Sequence, residues 1–134
     1  MIHYLDNSAT TAVSEKAAQK AFEIMTKIYG NPSSLHLMGL HAEKELVSAR
    51  KSVAKRIGVQ YDELYFTSGG TESNNTALFG VAQAKKRLGR RIVISAVEHS
   101  SIMESANKLE SDGFDIVRVA PHSDGVVYPE DVAA

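Results

Sequence analysis

Leu64-Tyr65-Phe66-Thr67-Ser68-Gly69-Gly70-Thr71-Glu72-Ser73-Asn74-Asn75 decides how this 134-residue chain is read. The pattern predicts a short buried strand over 64–67, a glycine turn, and then a helix. The first N–H groups of a helix lack intrahelical acceptors and sit at the positive end of its dipole. A turn of this kind is therefore a ready anion site, with phosphate its usual guest. Thr67, Ser68, Thr71 and Ser73 add hydroxyl donors. The stretch is neither a Walker A loop nor a G-x-G-x-x-G fingerprint, so the cradle is generic. A tight strand-to-helix turn that binds nothing fits the same letters.

Upstream, residues 2–6 read as a short extended segment and Asp6-Asn7-Ser8-Ala9-Thr10-Thr11 as a polar loop. Ser14 is placed to cap a helix whose apolar stripe is Ala18, Ala21, Phe22, Met25, Ile28 and Tyr29. Gly30 and Asn31-Pro32 end it. A second helix is expected over about 38–57, with Gly58 as a left-handed cap. Downstream, the helix that follows the glycine turn runs to about Leu88. Arg91–Ala96 is an apolar strand, and Ser101 with Glu104 has capping-box spacing for a helix ending near Gly113. Residues 115–120 make a third strand, and Ser123-Asp124-Gly125 is a turn. Strands alternating with helices from 64 to 120 predict an α/β fold with a mostly parallel sheet flanked by helices.

Composition narrows the function. The net charge is −1, which gives no electrostatic case for nucleic acid or an anionic membrane. The basic run Lys85-Lys86-Arg87 with Arg90-Arg91 reads as a solvated helix end. No apolar run approaches the ~20 residues of a membrane helix, and the N-terminus has no signal-peptide layout. A cytoplasmic location is the default. There is no cysteine, so disulfides, thiolate metal sites and cysteine nucleophiles are excluded within these residues. His36 and His41 are five apart, poor spacing for a shared metal on one helix face, and no metal site is expected. Pro129-Glu130-Asp131 starts a helix that is cut after about one turn. That predicts a chain taken from a longer one, with a frayed tail as the plainer alternative.

His99 ends the second strand, on the edge where ligands gather in open α/β sheets. There an imidazole can stack on a planar ligand or move protons near neutral pH. Capping or bonding its own loop is the competing role for a lone histidine.

Four blocks in order carry a resemblance that spans the whole chain. Tyr4–Thr11 resembles the opening of NifS/IscS-like cysteine desulfurases, class V aminotransferases among the fold-type I pyridoxal phosphate enzymes. Gly30-Asn31-Pro32-Ser33-Ser34-Leu35-His36 is similar to their next block. Phe66–Asn75 is similar to their phosphate loop, and Ser95-Ala96-Val97-Glu98-His99 to their ring-stacking segment.

The resemblance implies a cofactor, pyridoxal 5′-phosphate. Gly70 and Thr71 would hold its phosphate, and His99 would stack on its ring as the catalytic residue that assists proton transfer. Asn7, Ala9 and Thr10 would lie near the substrate, and His36 near the site mouth or a dimer interface. Residues 1–15 would form a segment near the small domain, and 16–134 a partial cofactor-binding large domain, truncated at its C-terminus. The implied reaction turns L-cysteine into L-alanine and an enzyme persulfide. That sulfur would pass to acceptor proteins for iron–sulfur clusters or thiolation, in a homodimeric enzyme.

Ser100 stands where the family often has proline. None of the nine lysines lies in the family's Ser-x-His-Lys context, and the nucleophilic cysteine is absent. The polypeptide as given is expected to be inactive alone. Rival readings are another class V enzyme (a selenocysteine lyase or an aminotransferase), a non-catalytic split-gene binding module, and a small phosphate-binding domain with no pyridoxal role.

Overall fold

The computed structural model describes residues 3–133, which divide into two compact units, Met1–Tyr65 and Phe66–Ala134.

The first unit is helical. Helix α1 spans Glu15–Lys27 and starts where the Ser14 hydroxyl accepts the Ala17 N–H at 3.3 Å, as the sequence implies. It closes at Ile28, slightly short of Gly30. Helix α2 spans Leu37–Ile57 and ends on Gly58, whose φ of 76° is the left-handed geometry that glycine adopts without strain.

The loop between the helices is tightly drawn. A Cβ on Gly30 would overlap the Met38 carbonyl, and one on Gly39 would overlap the Ser34 and Asn31 carbonyls. The Asn31 side chain accepts the Ser33 N–H at 2.9 Å, and its carbonyl accepts the Ser34 N–H at 3.0 Å. Lys20 bridges to Glu45 at 3.1 Å, linking α1 to α2. Among the described residues of this unit only Gly39 and Ala54 are buried.

The second unit contains helix α3 (Gly70–Lys85), strand β1 (Arg91–Ser95), helix α4 (Ser100–Ser111), strand β2 (Asp115–Val119) and the short helix α5 (Pro129–Ala133). The strands pair in parallel from Arg91↔Asp115 to Ser95↔Val119, with α4 as the crossover. An Arg91–Asp115 ion pair at 2.6 Å marks the first rung. Arg118 reaches from β2 to α4 and clasps both Glu110 carboxylate oxygens, at 3.1 and 2.7 Å. The core is Ala82, Ile94, Ala106, Leu109, Phe114 and Ile116, lined by Leu78, Phe79, Ile92, Ile102 and Met103. Full burial of a side chain such as Leu109 contributes about 1.5–3 kcal/mol.

The α/β class and the parallel pairing stand, but two local expectations do not. Leu64–Thr67 is not a strand: the sheet of the described residues contains β1 and β2 alone, and Tyr65 is 79% exposed. Apolar letters make a strand only where a neighbouring ladder exists. The helix after the turn also closes sooner than Leu88, at Lys85.

Candidate functional site

Helix α3 begins without a side-chain cap. Its first intrahelical bond is Ser73 N–H to the Gly69 carbonyl at 3.1 Å. The N–H groups of Gly70, Thr71 and Glu72 therefore precede the ladder and have no helical acceptor. Nothing among the described residues bonds the Thr71 hydroxyl. A Cβ built on Gly69 or Gly70 would meet nothing within 4 Å, so there is open room at the turn. Three convergent N–H donors, one hydroxyl, the positive end of a 16-residue helix and empty space fit a phosphate-bearing group.

The turn is held by its own side chains. The Glu72 carboxylate accepts from the Ser68 hydroxyl at 2.6 Å and the Ser68 N–H at 2.7 Å. Those two bonds, the hydroxyl's first, hold its carboxyl below the usual range. The Thr67 and Ser73 hydroxyls meet at 2.7 Å.

His99 is exposed, just beyond the C-terminal end of β1, on the edge that the parallel order predicts. It also plays the competing role. Its backbone is extended, and its Nδ1 accepts the Ser101 N–H at 3.1 Å, which makes it the N-cap of α4. The capping box predicted from Ser101 is thus displaced: the helix opens at Ser100, and the Ser101 hydroxyl turns to His99 and Asn74 instead.

Asn74 donates its side-chain N–H to Ser101 Oγ at 2.9 Å. Asn74 lies four residues into α3 from Gly70, about 6 Å along the axis. Asn74 thereby ties α3 to the start of α4, which His99 caps. Ser105 adds a second tie, donating to Asn75 Oδ1 at 2.6 Å.

Asn74, Asn75 and Ser105 were given no role from the sequence, and Ser101 only that of a helix cap. The available signal was a pair of serines at i, i+4 on the apolar face of α4, beside Ile102, Ala106 and Leu109.

The remaining candidates lie in the first unit. Asn7, Ala9 and Thr10 form an exposed turn, in which Ala9 and Thr10 N–H groups reach the Asp6 carbonyl at 3.2 and 3.4 Å. His36 is the N-cap of α2, its Nδ1 accepting the Gly39 N–H at 3.3 Å. Among the described residues no group of three metal-ligating side chains comes together, and no helix is long and apolar enough to cross a membrane.

A parallel α/β unit with an uncapped helix start and an imidazole beyond the carboxyl end of a strand has the layout in which open α/β sheets gather ligands. The class-V aminotransferase family model matches residues 3–134, and the chain belongs to that family. Its relatives are NifS/IscS-type proteins. A NifS/IcsS protein homolog of Lactobacillus delbrueckii subsp. bulgaricus is 50% identical over 98% of this chain and 34% of its own length. The cysteine desulfurase IscS of Shewanella oneidensis is 42% identical over 92% of this chain and 31% of its own.

Two solved structures superimpose closely. A NifS-like protein has TM-score 0.91 and 37% identity, over 98% of this chain and 36% of that one. SspA in complex with cysteine has TM-score 0.89 and 29% identity, over 96% and 37%. The chain spans about a third of the length of the curated relatives it matches.

Proposed function

We propose that the chain forms the phosphate-binding part of a pyridoxal 5′-phosphate-dependent cysteine desulfurase. In this reading L-cysteine becomes L-alanine and an enzyme-bound persulfide. The observation that carries it is the uncapped start of α3, with its free Gly70 and Thr71 donors, joined through Asn74 and Ser101 to His99.

Gly70 and Thr71 N–H groups bind the cofactor phosphate, the Thr71 hydroxyl donates a further bond, and the α3 dipole favours the dianion. When bound, the cofactor supplies an electron sink for the amino acid's Cα. His99 would stack on the cofactor ring and supply an imidazole for proton transfer. Asn7, Ala9, Thr10 and His36 line the substrate end. Residues 1–15 belong with the small domain, and 16–134 with the large one.

The 134 residues hold no cysteine and no Ser-x-His-Lys lysine. The persulfide sulfur and the cofactor's covalent anchor therefore belong to the remainder of the whole enzyme, which we take to be a homodimer. It hands sulfur to acceptor proteins for iron–sulfur cluster assembly or thiolation. We assign it the cytoplasmic setting that the resemblance to these desulfurases implies.

The test is a chimera: this chain followed by the remaining two-thirds of the Lactobacillus relative. The expected result is alanine released from L-cysteine, lost on Thr71→Val or His99→Ala, with none from the 134 residues alone. A folded, cofactor-loaded chimera that leaves L-cysteine untouched would overturn the reading.

A further inference from the structure

His99 sits at the end of a relay that starts inside α3. Asn74 Nδ2 donates to Ser101 Oγ at 2.9 Å. Ser101 Oγ lies 2.9 Å from His99 Nδ1, and the Ser101 N–H donates to the same nitrogen at 3.1 Å. A second rung braces it: Ser105 Oγ donates to Asn75 Oδ1 at 2.6 Å and lies 2.8 Å from the Ser101 carbonyl, while Asn75 Nδ2 donates to the Thr71 carbonyl at 2.8 Å. Ser101 and Ser105 are buried, so their hydroxyls need partners, and the bonds joining them to His99, Asn74 and Asn75 are partly shielded from water.

The chemistry of the relay fixes a proton. An imidazole nitrogen that accepts an N–H bond carries no hydrogen. Nδ1 is the acceptor, so the neutral ring carries its proton on Nε2, an assignment that follows from the partner rather than from a visible hydrogen. The Ser101 oxygen accepts from Asn74 through one of its two lone pairs, which leaves its own proton free to point at Nδ1 as well. Both Ser101 donors thus favour one tautomer and hold one edge of the ring. Asn74 anchors that edge to the same helix whose first turn offers Gly70 and Thr71. The ring plane is therefore registered against the phosphate cradle by side chains, not by the loop alone.

We propose that Asn74 and Ser101 are positioning residues for His99, presenting its ring over the cofactor site as the Nε2–H tautomer. This rests on the reading of His99 as the ring-stacking residue. Neither side chain need touch the ligand.

The test is ¹⁵N NMR of histidine-labelled intact protein, with and without added pyridoxal phosphate, the His99 signals being assigned by their loss in His99→Gln. In the unsubstituted protein Nδ1 is expected at the unprotonated position and Nε2 at the protonated one. Losing one neutral donor changes the tautomer ratio about two- to tenfold, so Ser101→Ala and Asn74→Ala draw the two signals toward each other. Ser101→Thr, which keeps the hydroxyl, retains the original spectrum. A protonated Nδ1 in the unsubstituted protein overturns the proposal, as does a spectrum that neither alanine variant moves. Should an alanine variant not fold, the unsubstituted spectrum still decides. Added pyridoxal phosphate is expected to shift both His99 signals. No shift, with the tautomer and its dependence on Ser101 intact, would refute the cofactor reading while leaving the relay standing.

Discussion

Met1–Tyr65 and Phe66–Ala134 are both built largely from amphipathic helices, yet they bury themselves very differently. In the second, Leu109 is 0% exposed and Ala106 1%, inside a core shared by two helices and a parallel pair of strands. In the first, α1 buries no residue at all, and Phe22, Met25 and Tyr29 on its predicted apolar stripe are each more than 60% exposed. The first unit is held instead by local devices: the Ser14 and His36 caps, the Gly30–Gly39 crossing and the Lys20–Glu45 pair. Local bonds fix where helices begin and end, whereas enclosed apolar surface supplies most of the stability. The start of α3 and His99 are thus mounted on the better-packed half.

Core truncation offers the largest contrast. Leu109→Ala is expected to cost about 2–5 kcal/mol in urea unfolding. Leu46→Ala, at a residue already 37% exposed, should cost clearly less. Equal penalties would break the comparison. Next, Thr71→Val should weaken pyridoxal phosphate binding by about 1.5–3 kcal/mol, the range for a hydrogen bond to a charged group, without changing urea stability comparably. Isothermal titration would show it.

Gly39→Ala tests the first unit's local closure. The added methyl meets the Ser34 and Asn31 carbonyls, and overpacking of this kind costs about 1–3 kcal/mol. Loss of hydrogen-exchange protection should be concentrated at the start of α2.

Acid provides the smallest and most selective probe. Hydrogen bonds from Ser68, Arg118, Tyr128 and His122 hold the carboxyls of Glu72, Glu110, Asp124 and Asp131, respectively, below their ordinary range. A depressed carboxyl stabilises the fold above its unfolded pKa, about 4, and that contribution is lost as pH falls through the lower folded value. All four belong to the second unit; Glu72, Glu110 and Asp124 are exposed and Asp131 is half-buried, so each effect is small. Lys20 in the first unit is shifted the other way, raised by its bonds to Glu45 and Glu23. Its contribution is complete below the ordinary lysine pKa and fades as pH rises through the folded one. Amide exchange followed residue by residue from neutral pH toward 3 should loosen the Arg118–Glu110 clasp, an effect that Glu110→Gln should diminish.

Much of this was legible in the chain. Ser14, Gly58 and Gly113 mark helix boundaries through local chemistry, and the alternation of Arg91–Ser95, α4 and Asp115–Val119 implies a parallel pair. The strand order also placed His99 just beyond the carboxyl end of β1. Leu64–Thr67 misled because a strand is a property of two segments, and a single run of letters does not name its partner. The Asn74–Ser101 and Asn75–Ser105 bonds escaped notice because they join positions 27 and 30 residues apart, through polar types that are common in loops. Capping was one of the two roles open to His99, whereas His36 as a cap gave no signal, since serine, threonine, aspartate and asparagine dominate that position.

The central claim is that the start of α3 binds a phosphate whose attached ring meets His99. It is tested most directly by NMR titration of the intact protein with pyridoxal phosphate and, separately, with inorganic phosphate. Both ligands should shift the Gly70, Thr71 and Glu72 amides, and only pyridoxal phosphate should also shift the His99 ring. Unmoved Gly70 and Thr71 amides at saturating pyridoxal phosphate would contradict it.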